Sequence, residues 1–485
     1  MGACLSGKNR DGWKSVIDKL RRIPNHDIQG KLKISFDALD GEEQQNAFVD
    51  IACFFIDRKK EYVAKVLGAR CGYNPEVDLE TLRGRSLIKV DAIGKITMHD
   101  LLRDMGREVV RETSPKEPGK RTRIWNQEDA WNVLEQQKVQ GLALDVKASE
   151  AKSLSTGSFA KMKRLNLLQI NGVHLTGSFK LLSRELMLIC WLQCPLVYFP
   201  SDFTIDNLAV LDMQYSNLKE LWKGKKILNR LKIINLSHSQ NLIKTPNLHS
   251  SSLKKLKLKG CSSLVEVHQS IGNLTSVVFL NLEGCWRLKI LPESIGNVKS
   301  LKRLNISGCS QLEKLPERMG DMKSLTELLA DGIENEQFLS SIGQLKYVRR
   351  LSLRGYSFSQ DSPSWLSPSS TSWPPSISSF ISATKGLVCH RCKYLVSIPD
   401  VPSSLICLAA HDCKSLERVR IPKQLKKELF IKLDESHLLV EIDEDDEGLR
   451  NSFWYFRVCD RNRSTNNYKR ALLGYYFFRS LLHKK

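Results

Sequence analysis

The chain has 485 residues, enough for two or three domains. Its 41% hydrophobic content and mean hydropathy of −0.29 describe a soluble globular protein, and no apolar run is long enough for a membrane-spanning helix. The net charge of +21 favours acidic partners, but the Lys and Arg residues are dispersed and form no aromatic-interleaved stripe, so a nucleic-acid site is not expected.

Residues 1–30 form a short, basic, helix-compatible segment. Gly2-Ala-Cys-Leu-Ser-Gly7-Lys8 nearly spells a phosphate-binding loop, but Asn9 stands where a hydroxyl would hold magnesium, and no strand leads into it. The same letters spell a myristoylation signal at Gly2, with Cys4 available for a second acyl chain, and two chains would hold the protein on a membrane. From Lys31 the pattern predicts a turn at Asp40-Gly41, then an amphipathic helix burying Phe48, Ile51, Ala52 and Phe55. A helix over 60–70 ends at Gly72. Next come a helix over 78–84, strands Leu87–Val90 and Lys95–Met98 about a turn at 92–94, and a helix with Leu101, Met105 and Val109 on one face. Three of these helices and the hairpin make a winged-helix domain over 31–140, closed by a short helical piece after Pro115 and Pro118-Gly119.

From about 141 to 420 a leucine comb takes over. The first position of each L-x-x-L-x-L unit is Leu165, Leu186, Leu208, Leu231, Leu253, Val277, Leu301, Leu325 and Val348. A recurrence of that kind predicts a leucine-rich repeat solenoid, giving an α/β fold overall. The clearest unit points Leu301, Leu304, Ile306, Leu312 and Leu315 inward, with Pro316 ending its second extended piece and Gly320 opening the turn that follows. Cys261, Cys285 and Cys309 recur at one repeat position and read as small buried residues. Alternation along the strands sets out a concave face: Asp212, Gln214 and Tyr215; Ile233, Asn235 and His238; Lys255, Lys257 and Lys259; Phe279, Asn281 and Glu283; Arg303, Asn305 and Ser307; Arg350, Ser352 and Arg354. The candidate partner-binding residues among these are Lys255, Lys257, Lys259, Asn281, Glu283, Arg303, Asn305, Arg350 and Arg354. A Ser/Pro-rich stretch over 359–379 interrupts the comb, and residues 421–485 lose its period. Thirteen cysteines without a paired framework favour reduced thiols and an intracellular site. Cys389-x-x-Cys392 lacks a second ligand pair, so no metal is expected. No hydrolase motif of the G-x-S-x-G or H-E-x-x-H kind occurs, so the chain reads as a non-enzyme.

Three segments in order, LKISFDALDGEEQQNAFVDIACFF (32–55), MHDLLRDMGREVVRE (98–112) and PKEPGKRTRIWNQEDAWNVL (115–134), together with the repeats, closely resemble plant disease-resistance proteins of the TIR-NB-ARC-LRR class. The resemblance implies an immune receptor whose repeats recognise a pathogen effector or a host immune protein, or regulate a full-length receptor. It implies a cytoplasmic site, with a nuclear one open and a membrane-anchored one if Gly2 is acylated. It also implies that Met98, His99 and Asp100 form the MHD motif, His99 approaching the phosphate of ADP and Asp100 holding the local loop. The chain departs from the class in showing neither a TIR domain nor most of the nucleotide-binding domain, with residues 1–30 as its helical remnant. The expectation is therefore a truncated receptor that needs no cofactor, ADP belonging to full-length members. The alternative is a nucleotide-dependent switch within a larger receptor.

Overall fold

The computed structural model describes residues 26–354, apart from short segments at 135–136, 147–151, 204–205, 225, 250–251, 334 and 343, together with separate stretches of strand between 386 and 459. Gly2, Cys4, Cys392 and the Ser/Pro-rich stretch lie outside the described residues. The chain divides into two compact units, one of Met1–Pro195, Pro200–Gln214 and Asn229–Ile234, the other of Leu196–Phe199, Tyr215–Leu228 and Asn235–Lys485.

The first unit opens with α1 (His26–Asp37) and α2 (Glu42–Asp50). The turn between them falls at Gly41, whose φ of 90° suits a residue without Cβ. Glu42 and Glu43 then complement the positive end of the α2 dipole. The helix does not run on regularly, because Ile51–Phe55 widen into a π-turn. Phe48, Ile51, Ala52 and Phe55 are all fully buried, as the pattern required. Next come α3 (Lys60–Cys71), capped by Gly72 at φ 76°, and α4 (Glu76–Gly84). The hairpin β1 (Lys89–Val90) and β2 (Ile96–Thr97) is shorter than expected, since Leu87 and Ile88 turn into the core ahead of the ladder. In α5 (Asp100–Glu112) the buried positions are Met105, Gly106 and Val110, with Leu102 and Val109 packed beside them, so Leu101 is not on the core stripe. Gly106 lets α5 approach α2, since a Cβ there would lie 2.8 Å from the Ala52 Cβ and 2.9 Å from the Phe48 ring.

Arg121 and Arg123 explain the third motif. Arg121 donates to the Ser114 and Pro115 carbonyls and to Asp129, clasping the chain around α6 (Gln127–Asn132). Arg123 donates to Asp50 at 3.0 Å and to Asn46 at 2.8 Å, and Asp50, wholly buried, also pairs with Arg70. A buried carboxylate needs such partners. Arg123 also begins the repeat sheet. Strand β3 (Arg123–Ile124) pairs in parallel with β4 (Gly141–Asp145), ahead of the boundary expected at 141. Strands β6 (Leu167–Asn171), β8 (Leu188–Leu192) and β9 (Val210–Asp212) continue that sheet. Strands β5 (Lys152–Ser155) and β7 (Val173–Thr176) pair separately.

In the second unit β10 (Lys226–Ile227) pairs with β12 (Leu248–His249). The main ladder holds β13 (Lys255–Lys257), β14 (Phe279–Asn281), β15 (Arg303–Asn305), β16 (Glu327–Leu329) and β17 (Arg350–Arg354), all parallel and in register. Leu301, Leu304, Ile306, Leu312 and Leu315 are at most 1% exposed, as the comb required. Gly272, Gly296 and Gly320 serve close stacking of the return turns. A Cβ at each would come within 2.8 Å of the next repeat, so a side chain would force the turns apart. After the strands, Gly260, Gly284, Gly308 and Gly332 adopt φ near 70°. The thiols of Cys261, Cys285 and Cys309 donate to the carbonyls of Leu236, Leu258 and Leu282 at 3.1–3.2 Å. Parallel strands Gly386–His390, Cys407–His411, Phe430–Asp434 and Tyr455–Cys459 carry the ladder beyond 420, where the comb was expected to stop.

A candidate recognition face on the repeats

The first strands do not present an open face. Leu167, Leu188, Cys190 and Val210 share one core with Phe36, Phe48, Phe55 and Val63 of the helical domain. The π-turn contributes here through carbonyls near its end, where a helix leaves them without partners of its own. The Phe54 carbonyl accepts from Gln169 Nε2 of β6 at 3.1 Å, and that of Ala52 accepts from Arg107 Nε at 3.2 Å. Arg58, just after the turn, lies 3.7 Å from Asp212 of β9 and 3.6 Å from the Cys190 sulfur of β8, with its guanidinium over the Tyr62 ring. Burial pushes the Cys190 thiol up to about 12. Asp212 also accepts from Gln214. Asp212 and Ile233, expected on the concave face, are therefore buried and not open to a partner. Nothing in the alternation of the strands could reveal this cover. Arg58, the first of three consecutive cations behind the apolar run, was its one sequence trace.

The later strands differ. Register aligns Lys255, Phe279, Arg303, Glu327 and Arg350 in one row, and Lys257, Asn281, Asn305, Leu329 and Ser352 in the next. Phe279 is flanked by cations from both neighbouring strands, the Lys255 ammonium at 6.0 Å and the Arg303 guanidinium at 5.6 Å from its centroid. Glu327, which sequence reasoning missed, accepts both Arg303 and Arg350. Its signal was the step of two residues past Leu325. Lys259 pairs with Glu283 at 2.8 Å. Asn281 and Asn305 act within the turns, their side-chain oxygens accepting from the N–H of Glu283 and Ser307, and Asn305 also donates to Glu283. Asn305 is buried, so it supports the face without lining it. Arg354 is placed by its backbone alone, at the end of β17.

At the other candidate site, Met98 is half-buried while His99 and Asp100 are exposed. His99 caps α5, its Nδ1 accepting from the Leu101 N–H at 3.2 Å. In the neutral ring that leaves the proton on Nε2, facing away from the cap. Asp100 pairs with Arg103 one turn on. Among the described residues no His, Cys, Asp or Glu cluster could hold a metal, and no helix is long and apolar enough to cross a membrane.

A helical domain with a short wing, followed by a parallel ladder on a leucine comb, is a winged-helix and leucine-rich repeat arrangement. Residues 41–114 match the winged-helix domain of Roq1-like disease resistance proteins, and residues 201–370 match a leucine-rich repeat region. Disease resistance protein RUN1 of Vitis rotundifolia is 34% identical over 308 residues, covering 56% of this chain and 23% of that protein. Disease resistance protein RML1B of Arabidopsis thaliana is 32% identical over 452 residues, covering 89% and 44%. The chain thus spans less than half the length of these relatives. Among solved structures, the functional domain of InlJ from Listeria monocytogenes aligns at 10% identity and a TM-score of 0.34, over 66% of this chain and 75% of that one.

Proposed function

We propose that this chain serves a plant immune receptor as a non-catalytic recognition module. Its repeats bind a protein, a pathogen effector or a host immune protein, through the face of β13–β17. The observation that carries this reading is the exposure of Arg303 and Arg350 on the in-register parallel strands β13–β17. Repeat solenoids bind through such faces. The test is co-precipitation of the tagged chain from pathogen-challenged plant tissue, beside the triple variant Lys255→Glu, Lys257→Glu, Lys259→Glu. A partner that the variant no longer retains is the expected result, and undiminished capture by the variant would refute the use of this face.

A second reading has its own observation. His99 is exposed at the start of α5 with Nδ1 taken up by the cap, which leaves Nε2 for donation to a phosphate oxygen. On this reading the chain contributes one wall of a nucleotide switch, and ADP is the ligand. Calorimetry of a receptor that also carries the nucleotide-binding region, against its His99→Ala variant, should show weaker ADP binding. Equal affinities would end it.

A further inference from the structure

Three strands of the ladder open on dibasic pairs, Lys254-Lys255, Lys302-Arg303 and Arg349-Arg350. The leading members align as their neighbours do. The N–H of Val278 donates to the Lys254 carbonyl, that of Lys302 to Val278, that of Thr326 to Lys302 and that of Arg349 to Thr326. Strands lie about 4.8 Å apart, so the pairs recur about every 10 Å across the face. Among the described residues of these strands, Arg303 and Arg350 converge on one carboxylate, Glu327. Two guanidiniums bring about ten N–H donors to it, far more than one carboxylate accepts. The arginine side chains stay 52% and 58% exposed, while that of Glu327 is 14% exposed. Lys302 and Arg349 are exposed as well.

We infer that this end of the face takes an extended, acidic segment of a partner protein. A strand advances about 3.3 Å per residue, so carboxylates at every third position would meet successive dibasic pairs. Planar guanidiniums already seated on one carboxylate show the donor geometry that a second would use. Single-stranded nucleic acid is the rival polyanion, but its sequence-independent binders offer open aromatic faces to the bases. Here Phe279 is flanked by Lys255 and Arg303 on both sides of the ladder. The inference rests on the reading of this face as the recognition surface.

The test is fluorescence anisotropy of the full chain with a labelled peptide bearing Glu at every third position and Ser between. The rim variants are Lys302→Glu/Arg303→Glu and Arg349→Glu/Arg350→Glu. The control, Lys163→Glu/Arg164→Glu, changes net charge equally at exposed positions elsewhere. Both rim variants should weaken binding by roughly tenfold or more, and the control by less than about threefold. The Gln versions of the same pairs supply the readout should a Glu pair fail to fold. Equal weakening in all three variants, no binding of the peptide, or tighter binding of an oligonucleotide that the same variants abolish would each overturn the inference. In the co-precipitation, a partner retained by both rim variants would defeat the acidic-segment inference and leave the recognition reading standing. Rim-dependent peptide binding with no captured protein would do the reverse.

Discussion

A left-handed backbone costs a residue with a Cβ roughly 1–2 kcal/mol, and the repeats meet the same turn in two ways. Gly260, Gly284, Gly308 and Gly332 take it without strain, whereas Tyr215 and His238 adopt φ of 59° and 63°. Those two rings stack at 4.9 Å, worth about 0.5–1.5 kcal/mol, which offsets part of the strain. The His238 ring in turn occupies the space over Gly260, where an added Cβ would sit 2.6 Å from Nδ1, while around Gly332 the space is open. Gly332→Ala should therefore cost about 1–2 kcal/mol, from φ alone. Gly260→Ala should cost at least about 1 kcal/mol more, because the imidazole must also move. Urea unfolding of the two variants checks the ranking, and equal losses would show that the ring yields freely. The stacking of two aromatics across repeats had no sequence signal beyond their shared position.

At the scale of the element, the cysteine column is the feature the sequence displayed best, since a small apolar residue recurs at one depth of the solenoid. What the sequence withheld was its bonding, each thiol donating to a carbonyl of the preceding repeat. Burial pushes Cys261 and Cys309 up to about 12, and Cys285, with thiols on both sides, is raised too. A folded-state value above the unfolded one means that the unfolded chain releases its proton first as pH rises. The column's contribution is thus complete below the ordinary thiol value near 9.0 and is lost between there and about 12. Stability should fall on the order of 1 kcal/mol per thiol per pH unit above that value. A triple Cys→Ala variant should show a flatter dependence. Thermal melts over that range decide it, and identical slopes would mean that the thiols play no part. The asparagines of the same strands show where alternation misleads. Asn281 and Asn305 sit at outward positions, yet short amide side chains satisfy the adjacent turn before they reach solvent.

At the scale of the molecule, the leucine comb made the solenoid legible because burial repeats along the chain, and the amphipathic stretches made most helices legible for the same reason. The cover on the first strands was not legible. It depends on contacts between residues more than a hundred positions apart, and on a π-turn that no periodicity encodes. Its consequence is mechanical. The helical domain and strands β6, β8 and β9 share one buried cluster, so they should open together. Arg58 and Gln169 are polar ties across that cluster, and Asp212, 2% exposed, faces Arg58 and accepts from Gln214. Arg58→Glu would set a second carboxylate beside a buried one, a cost of about 2 kcal/mol given the partial exposure of Arg58. In hydrogen exchange, peptides spanning 48–55 and 167–192 should then speed up by a common factor. Faster exchange in the helical domain with the strands unchanged would show two independent bodies, and the covered face would have to be counted again among the surfaces open to a partner.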